Sequence, residues 1–207
     1  MAINHSMKKI LKALSFDGIE VEASRHLASL KAIDPMKIFH KTIDYKIYNG
    51  DYEVPVRIYL PREKVPEDLP VFLFFHGGGW VTNCIDNYER ICARLASATE
   101  HIVVSVEYRL APEHPFPTGF MDCYAVAKAI YTNRFILNVN PQRITLIGDS
   151  AGGNLAAAVS LKARDDGIFK PQRQILIYPA VNNDYSDTSS FQSVKDCGSD
   201  YLLTAGK

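Results

Sequence analysis

The chain has 207 residues, of which 47% are apolar and 22% are charged, and its 23 lysines and arginines balance 23 aspartates and glutamates. This length and composition suit one globular domain with a sizeable core. The formal net charge of zero, with no basic stripe, argues against a nucleic-acid partner. No apolar stretch approaches the roughly 20 residues that span a bilayer, and the first residues lack the apolar run of a signal peptide.

These features predict a cytoplasmic protein without a stable membrane anchor. The four cysteines show no C-x-x-C spacing, which argues against a zinc site and against thioredoxin-like chemistry; they are Cys84, Cys92, Cys123 and Cys197. We expect them to be reduced thiols in the core. No pattern in the sequence indicates a metal ion or another cofactor.

The N-terminal part combines a helical pattern with a hairpin pattern. Residues 8–31 place apolar side chains at helical spacing among lysines and acids, which indicates one or two amphipathic helices. Residues 42–61 indicate two strands on either side of Asn49, Gly50 and Asp51, a strong hairpin signal. We therefore expect helices first and then a β-hairpin.

The remaining elements alternate between strands and helices. The apolar run Val71–Phe75 predicts a strand buried on both faces. Asp86 and Glu89 have the spacing of a capping box that starts a helix ending near Ala98. Further strands are expected at 101–108, 143–150 and 173–180, helices at 117–131 and 151–164, and a proline-rich loop at 109–117. This order predicts an α/β fold whose mostly parallel sheet carries helices on both faces.

The segment Gly148-Asp149-Ser150-Ala151-Gly152 lies between a predicted buried strand and a predicted helix. It is the G-x-S-x-G pattern of a nucleophile elbow in the context that gives the pattern its meaning. The turn would raise the Ser150 hydroxyl above the carboxyl edge of the sheet, where open α/β sheets bind ligands. The alternative is that Ser150 merely caps the helix. We expect Asp149 to hydrogen-bond loops together rather than to contact a substrate.

Three glycines follow the buried strand at 71–75. Attack on an ester carbonyl forms an oxyanion, which needs N–H donors about 3 Å away. The amides of Gly77, Gly78 and Gly79 could approach a ligand without obstruction by side chains, and the helix that begins at Ala151 presents unpaired N–H groups to an anion. Trp80 is a candidate for the wall of an acyl pocket. The alternative is a simple tight turn followed by an aromatic residue of the core.

Three motifs resemble those of one known family. The segments HGGGW (76–80), YRLAPEHPFP (108–117) and GDSAGGNLA (148–156) are similar to those of the hormone-sensitive-lipase-like family of α/β-hydrolases, and the similarity runs from about residue 40 to the end. The resemblance implies an α/β-hydrolase fold with a helical cap and a carboxylesterase or lipase activity on short- to medium-chain acyl esters. It also implies a nucleophile at Ser150 and an oxyanion hole made by Gly77, Gly78, Gly79 and Ala151.

The resemblance further implies a division of the chain and an incomplete triad. Residues 41–183 correspond to the hydrolase core, residues 1–40 to N-terminal cap helices and residues 184–207 to the start of a second cap segment. In the family two more strands, the catalytic acid and the catalytic histidine follow the serine. Here all six histidines precede Ser150: His5, His26, His40, His76, His101 and His114. We therefore expect the last strands, the acid and the histidine to be absent from this chain, and the chain alone to be inactive.

Two functions stay open. One is an esterase with a small-molecule ester as its substrate, completed by the missing acid and histidine. The other is a non-catalytic protein that binds a small molecule, since plant gibberellin receptors resemble the same family and lack its full triad. His76, which opens the glycine loop, is expected to fix that loop. The apolar strand at 174–179 would form an uncovered sheet edge, which predicts self-association into a homo-oligomer.

Overall fold

The computed structural model describes residues 25, 42–62, 68–132, 135–182 and 192. The helices expected at 8–31 and both cap segments lie outside the described residues, apart from the single positions 25 and 192. The chain divides into two compact units, one of residues 28–180 and one that combines residues 1–27 with 181–207. The strands and helices described below belong to the first unit.

The described elements alternate as the sequence predicts. The strands are β1 (Thr42–Asn49), β2 (Tyr52–Tyr59), β3 (Val71–Phe75), β4 (Ile102–Val106), β5 (Ile144–Asp149) and β6 (Arg173–Ile177). The helices are α1 (Ile85–Thr99), α2 (Thr118–Tyr131) and α3 (Ala151–Asp166), and a short 3₁₀ turn at Pro141–Arg143 precedes β5. The predicted α/β-hydrolase order is confirmed for this region.

The hairpin expected at the start of the sheet is confirmed. Strands β1 and β2 pair in antiparallel register, with Asn49 opposite Tyr52. The two residues between them are Gly50 and Asp51, and Gly50 has a φ of 62°. A two-residue hairpin turn favours positive φ because its twist then matches the twist of the strands, so glycine suits this position.

The six strands form one sheet in the order β1-β2-β4-β3-β5-β6. Strands β4, β3, β5 and β6 run parallel to one another, whereas β2 pairs in antiparallel fashion with both β1 and β4. Phe75 at the end of β3 is paired with Gly148 near the end of β5. The segments that follow these two strands therefore begin at the same edge of the sheet, where a ligand site is expected.

Helices cover both faces of the sheet. Side chains alternate along β3, so Phe72 and Phe74 pack in a cluster with buried residues of α1. Leu73 and Phe75 pack on the opposite face in a larger cluster with α2 and α3. All five side chains of β3 are buried, which explains why its sequence is continuously apolar rather than alternating.

The start of α1 differs from the sequence prediction. The Asp86–Glu89 capping box is wrong, because the Asp86 carboxylate accepts a hydrogen bond from the Arg57 guanidinium at 2.7 Å instead. The N–H of Ile85 donates to the Glu107 carboxylate at 2.6 Å. Burial raises the pKa of Glu107, although this hydrogen bond lowers it in part. The Glu107 side chain, which directly follows β4, thus accepts a hydrogen bond from the first N–H of α1. A local capping residue was expected to accept this bond.

An ion pair anchors the proline-rich segment. The carboxylate of Asp122 is fully buried and accepts two hydrogen bonds from the Arg109 guanidinium, at 2.7 and 2.9 Å. It also accepts from the Arg109 backbone N–H at 3.1 Å and from the Asn49 amide at 2.7 Å. The guanidinium carbon lies 4.0 Å from the centroid of the Tyr52 ring. These contacts tie the start of the segment to α2 and to the hairpin.

Strand β6 is an edge strand within the described part of the sheet. It pairs with β5 on one side, and among the described strands nothing pairs with its other side. Ile175 and Ile177 are 42% and 38% exposed. An apolar edge with unpaired backbone groups is a template for association with another chain.

We predict that replacing Ile175 with lysine reduces self-association of the chain, because a charge on an edge strand opposes edge-to-edge pairing. Size-exclusion chromatography with light scattering over a range of concentrations measures the effect. Ile91→Lys is the matched control, since Ile91 is 53% exposed on helix α1 rather than on a sheet edge. A wild-type chain that stays monomeric at every concentration contradicts the prediction.

Candidate active site

Ser150 occupies the turn between β5 and α3 in an unusual backbone conformation. Its φ and ψ are 51° and −117°, in a region that residues other than glycine rarely adopt. The side chain makes no capping hydrogen bond to α3. The alternative interpretation of Ser150 as a simple helix cap is therefore not supported, because the hydroxyl does not perform that function here.

Two glycines make this turn possible. A β-carbon on Gly152 would overlap the carbonyl oxygen of Phe75 and would lie 2.6 Å from that of His76. A β-carbon on Gly148 would overlap the backbone of Gly152 and would lie 2.7 Å from the Phe75 oxygen. Real β-carbons do not approach backbone atoms this closely, so the G-x-S-x-G spacing is required by close packing of α3 against the end of β3.

Hydrogen bonds hold the Ser150 backbone on both sides. Its N–H donates to the carbonyl of Ile177 at 2.9 Å, at the end of β6. Its carbonyl accepts from the N–H of Asn154 at 3.0 Å and from the N–H of Ala180 at 3.2 Å. The backbone of Ser150 is thus fixed between α3 and the segment that follows β6, and its hydroxyl forms no capping bond to α3.

The first peptide of the glycine loop is oriented through its carbonyl. The Gly77 carbonyl accepts from His76 Nδ1 at 2.9 Å and from Asn83 Nδ2 at 3.0 Å. The C=O and N–H of a trans peptide point in opposite directions, so these donors fix the direction of the Gly78 N–H as well. Among the described residues nothing accepts a hydrogen bond from that N–H.

The second peptide of the loop is held in the same way. The Gly78 carbonyl accepts from the N–H groups of Val81 at 3.1 Å and Thr82 at 2.9 Å, and from the Thr82 hydroxyl at 3.0 Å. The Gly79 N–H therefore points away from this turn, and no described residue accepts a hydrogen bond from it. Gly78 and Gly79 have φ values of 131° and 61°, and a β-carbon on Gly78 would overlap the Thr82 carbonyl oxygen.

Gly77 differs from the other two glycines. Its N–H donates to Asp149 Oδ1 at 3.0 Å and lies 3.2 Å from the hydroxyl oxygen of Tyr88. An amide that already donates to a carboxylate is not available to an oxyanion, so the structure argues against the role expected for Gly77. The expectation that Asp149 bonds the two loops together is confirmed by this hydrogen bond.

Ala151 is the first residue of α3 and is buried. The first N–H groups of a helix have no partner within the helix, and no described residue outside α3 accepts from the Ala151 N–H. The N-terminal end of a helix also carries a partial positive charge. Ala151 therefore adds a third unpaired amide to those of Gly78 and Gly79.

His76 fixes the glycine loop, as the sequence predicts. The side chain is fully buried and stacks on the ring of Tyr108 at a centroid distance of 4.3 Å. Because the Gly77 carbonyl can only accept, Nδ1 carries the proton, and Nε2 has no partner among the described residues. Burial lowers the pKa of His76 to about 4, against smaller opposite effects of the Gly77 carbonyl and Asp149. The imidazole is therefore neutral at pH 7.

The other described histidines, His101 and His114, form no hydrogen bond with the serine hydroxyl. His101 stacks on Phe72 at 4.0 Å, near the start of β3 and β4 and thus at the opposite edge of the sheet from Ser150. His114 is an exposed residue of the proline-rich segment. Among the described residues no histidine nitrogen forms a hydrogen bond with the Ser150 hydroxyl.

A largely apolar cavity of about 370 Å³ adjoins the glycine loop, with Gly79 and Trp80 in its wall. Aromatic side chains form much of the remaining wall: Tyr108, Phe116 and Phe120. Trp80 is 40% exposed and has a φ of 62°, so it is not a core residue. The expectation that Trp80 lines a pocket agrees with this position.

The residues that the structure describes contain neither a cluster of metal ligands nor a helix that could span a membrane. No group of three or more histidine, cysteine, aspartate and glutamate side chains in these ranges could hold a metal ion. No helix within the same part of the chain is long and apolar enough to cross a bilayer.

The comparison with known families agrees with this geometry. The sequence model of the α/β-hydrolase fold matches residues 72–207, which include the glycine loop, the proline-rich segment and the elbow. The chain belongs to the hormone-sensitive-lipase-like family of α/β-hydrolases. The fold and the family expected from the three motifs are thereby confirmed.

Two relatives of this α/β-hydrolase are a carboxylesterase and an arylesterase. A carboxylesterase of Mycobacterium tuberculosis is 39% identical over 174 residues, which cover 82% of this chain and 53% of that protein. An arylesterase of Saccharolobus solfataricus is 37% identical over 174 residues, which cover 84% of this chain and 55% of that protein. The chain thus spans about half the length of the relatives it matches.

Solved structures give the same result. The hyperthermophilic esterase of the archaeon Pyrobaculum calidifontis superimposes with a TM-score of 0.80 at 35% identity, covering 100% of this chain and 67% of that one. A fungal esterase of Rhizomucor miehei superimposes with a TM-score of 0.83 at 28% identity, covering 99% and 65%.

We predict that the neutral His76 makes folding stability depend on pH. Its pKa is lowered from 6.5 to about 4 in the folded state, so the unfolded state binds the proton more tightly. The stabilisation is complete above pH 6.5 and is lost as the pH falls towards 4. Between pH 7 and 5 the free energy of unfolding should fall by about 2 kcal/mol from this group.

Urea unfolding at pH 7 and pH 5 measures this change in the wild type and in His76→Asn, whose amide can still donate to the Gly77 carbonyl but does not titrate. The variant should show a smaller difference between the two pH values. His101→Asn is the control and should behave like the wild type. An equal pH dependence in wild type and His76→Asn contradicts the prediction.

Proposed function

We propose that this chain carries the nucleophile and the oxyanion hole of a carboxylic ester hydrolase. Ser150 is the nucleophile in this proposal, and the amides of Gly78, Gly79 and Ala151 are the oxyanion donors. The observation that carries the proposal is the Ser150 backbone at a φ of 51° with a hydroxyl that does not cap α3. Strained residues persist only where their surroundings determine the conformation, and they concentrate at functional sites.

The proposed reaction is acyl transfer through the serine. The Ser150 Oγ gives its proton to a general base and forms a bond to the ester carbonyl carbon, and the carbonyl oxygen becomes an oxyanion that accepts hydrogen bonds from the loop and helix amides. Collapse of this intermediate breaks the bond from the carbonyl carbon to the alcohol oxygen, which takes that proton from the base, and leaves an acyl-serine. Water then attacks the acyl-serine in the same manner, which regenerates the hydroxyl and releases the carboxylic acid.

A serine hydroxyl is a weak nucleophile at neutral pH unless a base accepts its proton. The family has an acid and a histidine after the serine, whereas every histidine of this sequence precedes Ser150. His76 does not fit the role of base, since it is neutral, buried and bonded to the Gly77 carbonyl. We therefore propose that activity requires the family's C-terminal acid and histidine, and that the 207-residue chain alone is inactive.

The cavity beside Gly79 and Trp80 supports a substrate that carries a small apolar group next to its ester bond. This group would occupy the cavity. The cavity volume of about 370 Å³ lies at the lower end of small-molecule sites. The aromatic wall suits a short- to medium-chain acyl group or an aryl group. The names of the relatives, a carboxylesterase and an arylesterase, support the same class of substrate.

A second function is a non-catalytic protein that binds small molecules in this cavity. The observation that favours it is that no described histidine forms a hydrogen bond with Ser150. A binding protein of this kind would retain a bound ester without turnover, even when its sequence is completed by the family's C-terminal part.

We predict that Ser150→Ala abolishes ester hydrolysis, with a loss in kcat of at least about 10³-fold. The loss is large because catalytic residues act as a unit, so that removal of one costs about as much as removal of all. The assay uses p-nitrophenyl acetate and a chimera that joins residues 1–207 to the C-terminal part of the Mycobacterium tuberculosis carboxylesterase. Residues 1–207 alone, assayed in parallel, should show no turnover that depends on Ser150.

Ser160→Ala is the matched control, since Ser160 lies on the same helix and its hydroxyl bonds the Ala156 carbonyl at 2.8 Å. It should keep the activity of the chimera. Full activity in Ser150→Ala would reject Ser150 as the nucleophile. An active wild-type chimera decides for the esterase, and a folded chimera that binds the ester without turnover decides for the binding protein.

We predict that Gly78→Ala lowers kcat by about 10²-fold, because its β-carbon would overlap the Thr82 carbonyl oxygen and displace oxyanion donors. Kinetics of the same chimera measure kcat and KM separately. Gly50→Ala is the control, because Gly50 also has a positive φ, of 62°, with no atom within 4 Å of the added carbon. A change in KM alone would mean that the loop only shapes the binding pocket.

A further inference from the structure

Tyr88 makes contacts that the proposed reaction does not explain. It lies in the first turn of α1, belongs to none of the motifs and is half-buried. Its hydroxyl donates to Asp149 Oδ2 at 2.8 Å and accepts from the Gly77 N–H at 3.2 Å. A phenol has one proton to donate and can accept as well, so both capacities are used here.

The Asp149 carboxylate closes the same ring of hydrogen bonds. Its other oxygen, Oδ1, accepts from the Gly77 N–H at 3.0 Å, and the residue is only 9% exposed. Three groups from three elements therefore bind one another: the phenol of α1, the carboxylate at the end of β5 and the amide that follows β3. Each of the three contacts the other two.

This ring of hydrogen bonds determines the direction of the Gly78 N–H. The peptide before Gly77 is held through its N–H by Asp149 and Tyr88, and the peptide after Gly77 is held through its carbonyl by His76 and Asn83. Only the φ and ψ torsions of Gly77 lie between these two planes. When both planes are fixed, the Gly78 N–H has one direction, although glycine itself allows many.

We propose that Tyr88 is a positioning residue of the oxyanion hole: its hydroxyl, with Asp149, fixes the Gly77 peptide and through it the direction of the Gly78 N–H. The catalytic consequence of this proposal rests on the ester hydrolase function proposed above. The effect on the geometry of the loop is independent of that function.

The hydroxyl of Tyr88 can be removed without removing its aromatic ring. The aromatic ring of Tyr88 lies 5.6 Å from the rings of both Phe74 and His76, and these contacts persist in Tyr88→Phe. Burial, followed by the charge of Asp149, raises the pKa of Tyr88 above its ordinary value. The phenol is therefore a protonated donor at neutral pH, so the variant removes one defined donor and one defined acceptor.

The chain offers a matched control. The hydroxyl of Tyr124, on α2, donates to Asp166 Oδ2 at 2.6 Å, which is also a bond between a tyrosine and a carboxylate. Tyr124 is buried, and its hydrogen bond and ring contacts among the described residues are with Asp166, Phe169 and Lys162. Tyr124→Phe thus removes the same kind of bond elsewhere in the same fold.

The first experiment measures amide hydrogen exchange in the 207-residue chain. In Tyr88→Phe, peptides that cover residues 77–83 should exchange faster than in the wild type, and the other peptides of the sheet should not. Tyr124→Phe should leave exchange at 77–83 unchanged. Unchanged exchange at 77–83 in Tyr88→Phe, or an equal increase in both variants, overturns the proposal.

The second experiment measures kcat and KM for p-nitrophenyl acetate in the chimera described above. Tyr88→Phe should lower kcat by about 10-fold or more with KM within about twofold, because a displaced donor weakens the transition state and not the bound ester. Tyr124→Phe should change neither constant. A role in stability alone would affect both variants alike.

The two experiments separate this inference from the proposed function. If Ser150→Ala abolishes turnover and Tyr88→Phe keeps the wild-type kcat, the inference is wrong and the esterase stands. If Ser150→Ala retains turnover, the proposed function is wrong, and hydrogen exchange at 77–83 alone decides whether Tyr88 fixes the loop.

Discussion

The α-carbon of Gly152 packs against the carbonyl oxygens of Phe75 and His76, and no β-carbon fits between them. This contact places the first turn of α3 directly on the end of β3. Since Phe75 is also paired with Gly148 in the parallel register, β3 and β5 end at the same level. The glycine loop and the serine turn therefore begin as neighbours, although they are more than seventy residues apart in the sequence. The hydrogen bond between the two loops, from the Gly77 N–H to Asp149, depends on this juxtaposition.

The conformation of Ser150 depends on partners from several elements. A residue held at a sparsely populated φ and ψ costs about 1–3 kcal/mol, and it persists only when its surroundings determine it. Here the Ser150 N–H is bonded to Ile177 and its carbonyl to Asn154 and Ala180. Strand β6 thus contributes to the site through its end, even though all its side chains except that of Leu176 are exposed. Loss of the pairing between β5 and β6 would release the serine from its strained conformation.

Periodicity was sufficient to predict the elements of the described region, because buried parallel strands are continuously apolar and the turns carry glycine and proline. It was not sufficient for contacts between elements. Glu107 replaces the expected local cap of α1, and Asp122 pairs with Arg109 across thirteen residues. Neither contact has a fixed sequence spacing, since each depends on how the segment after β4 packs against a helix.

The candidate site shows the same division. Ser150 and the glycines were recognisable because their backbone requirements exclude most other residues. Tyr88 was not recognisable, because a tyrosine in the first turn of a helix has many ordinary uses. The amide of Gly77 is the instructive case: the motif identified the loop correctly, but only the Asp149 bond reveals that this amide faces a carboxylate.

That carboxylate raises an electrostatic question for the proposed reaction. Asp149 directly precedes Ser150, and a negative charge beside a developing oxyanion would oppose its formation. Asp149 instead directs its two oxygens to the Gly77 N–H and the Tyr88 hydroxyl, and such donors disperse the charge of a carboxylate. The oxyanion would be met by amides alone, those of Gly78 and Gly79 and the positive end of α3. The ring of hydrogen bonds formed by Tyr88, Asp149 and Gly77 therefore has two effects. It orients the glycine loop, and it directs the Asp149 carboxylate, the only buried negative charge within the described part of the elbow, away from the oxyanion that the reaction creates.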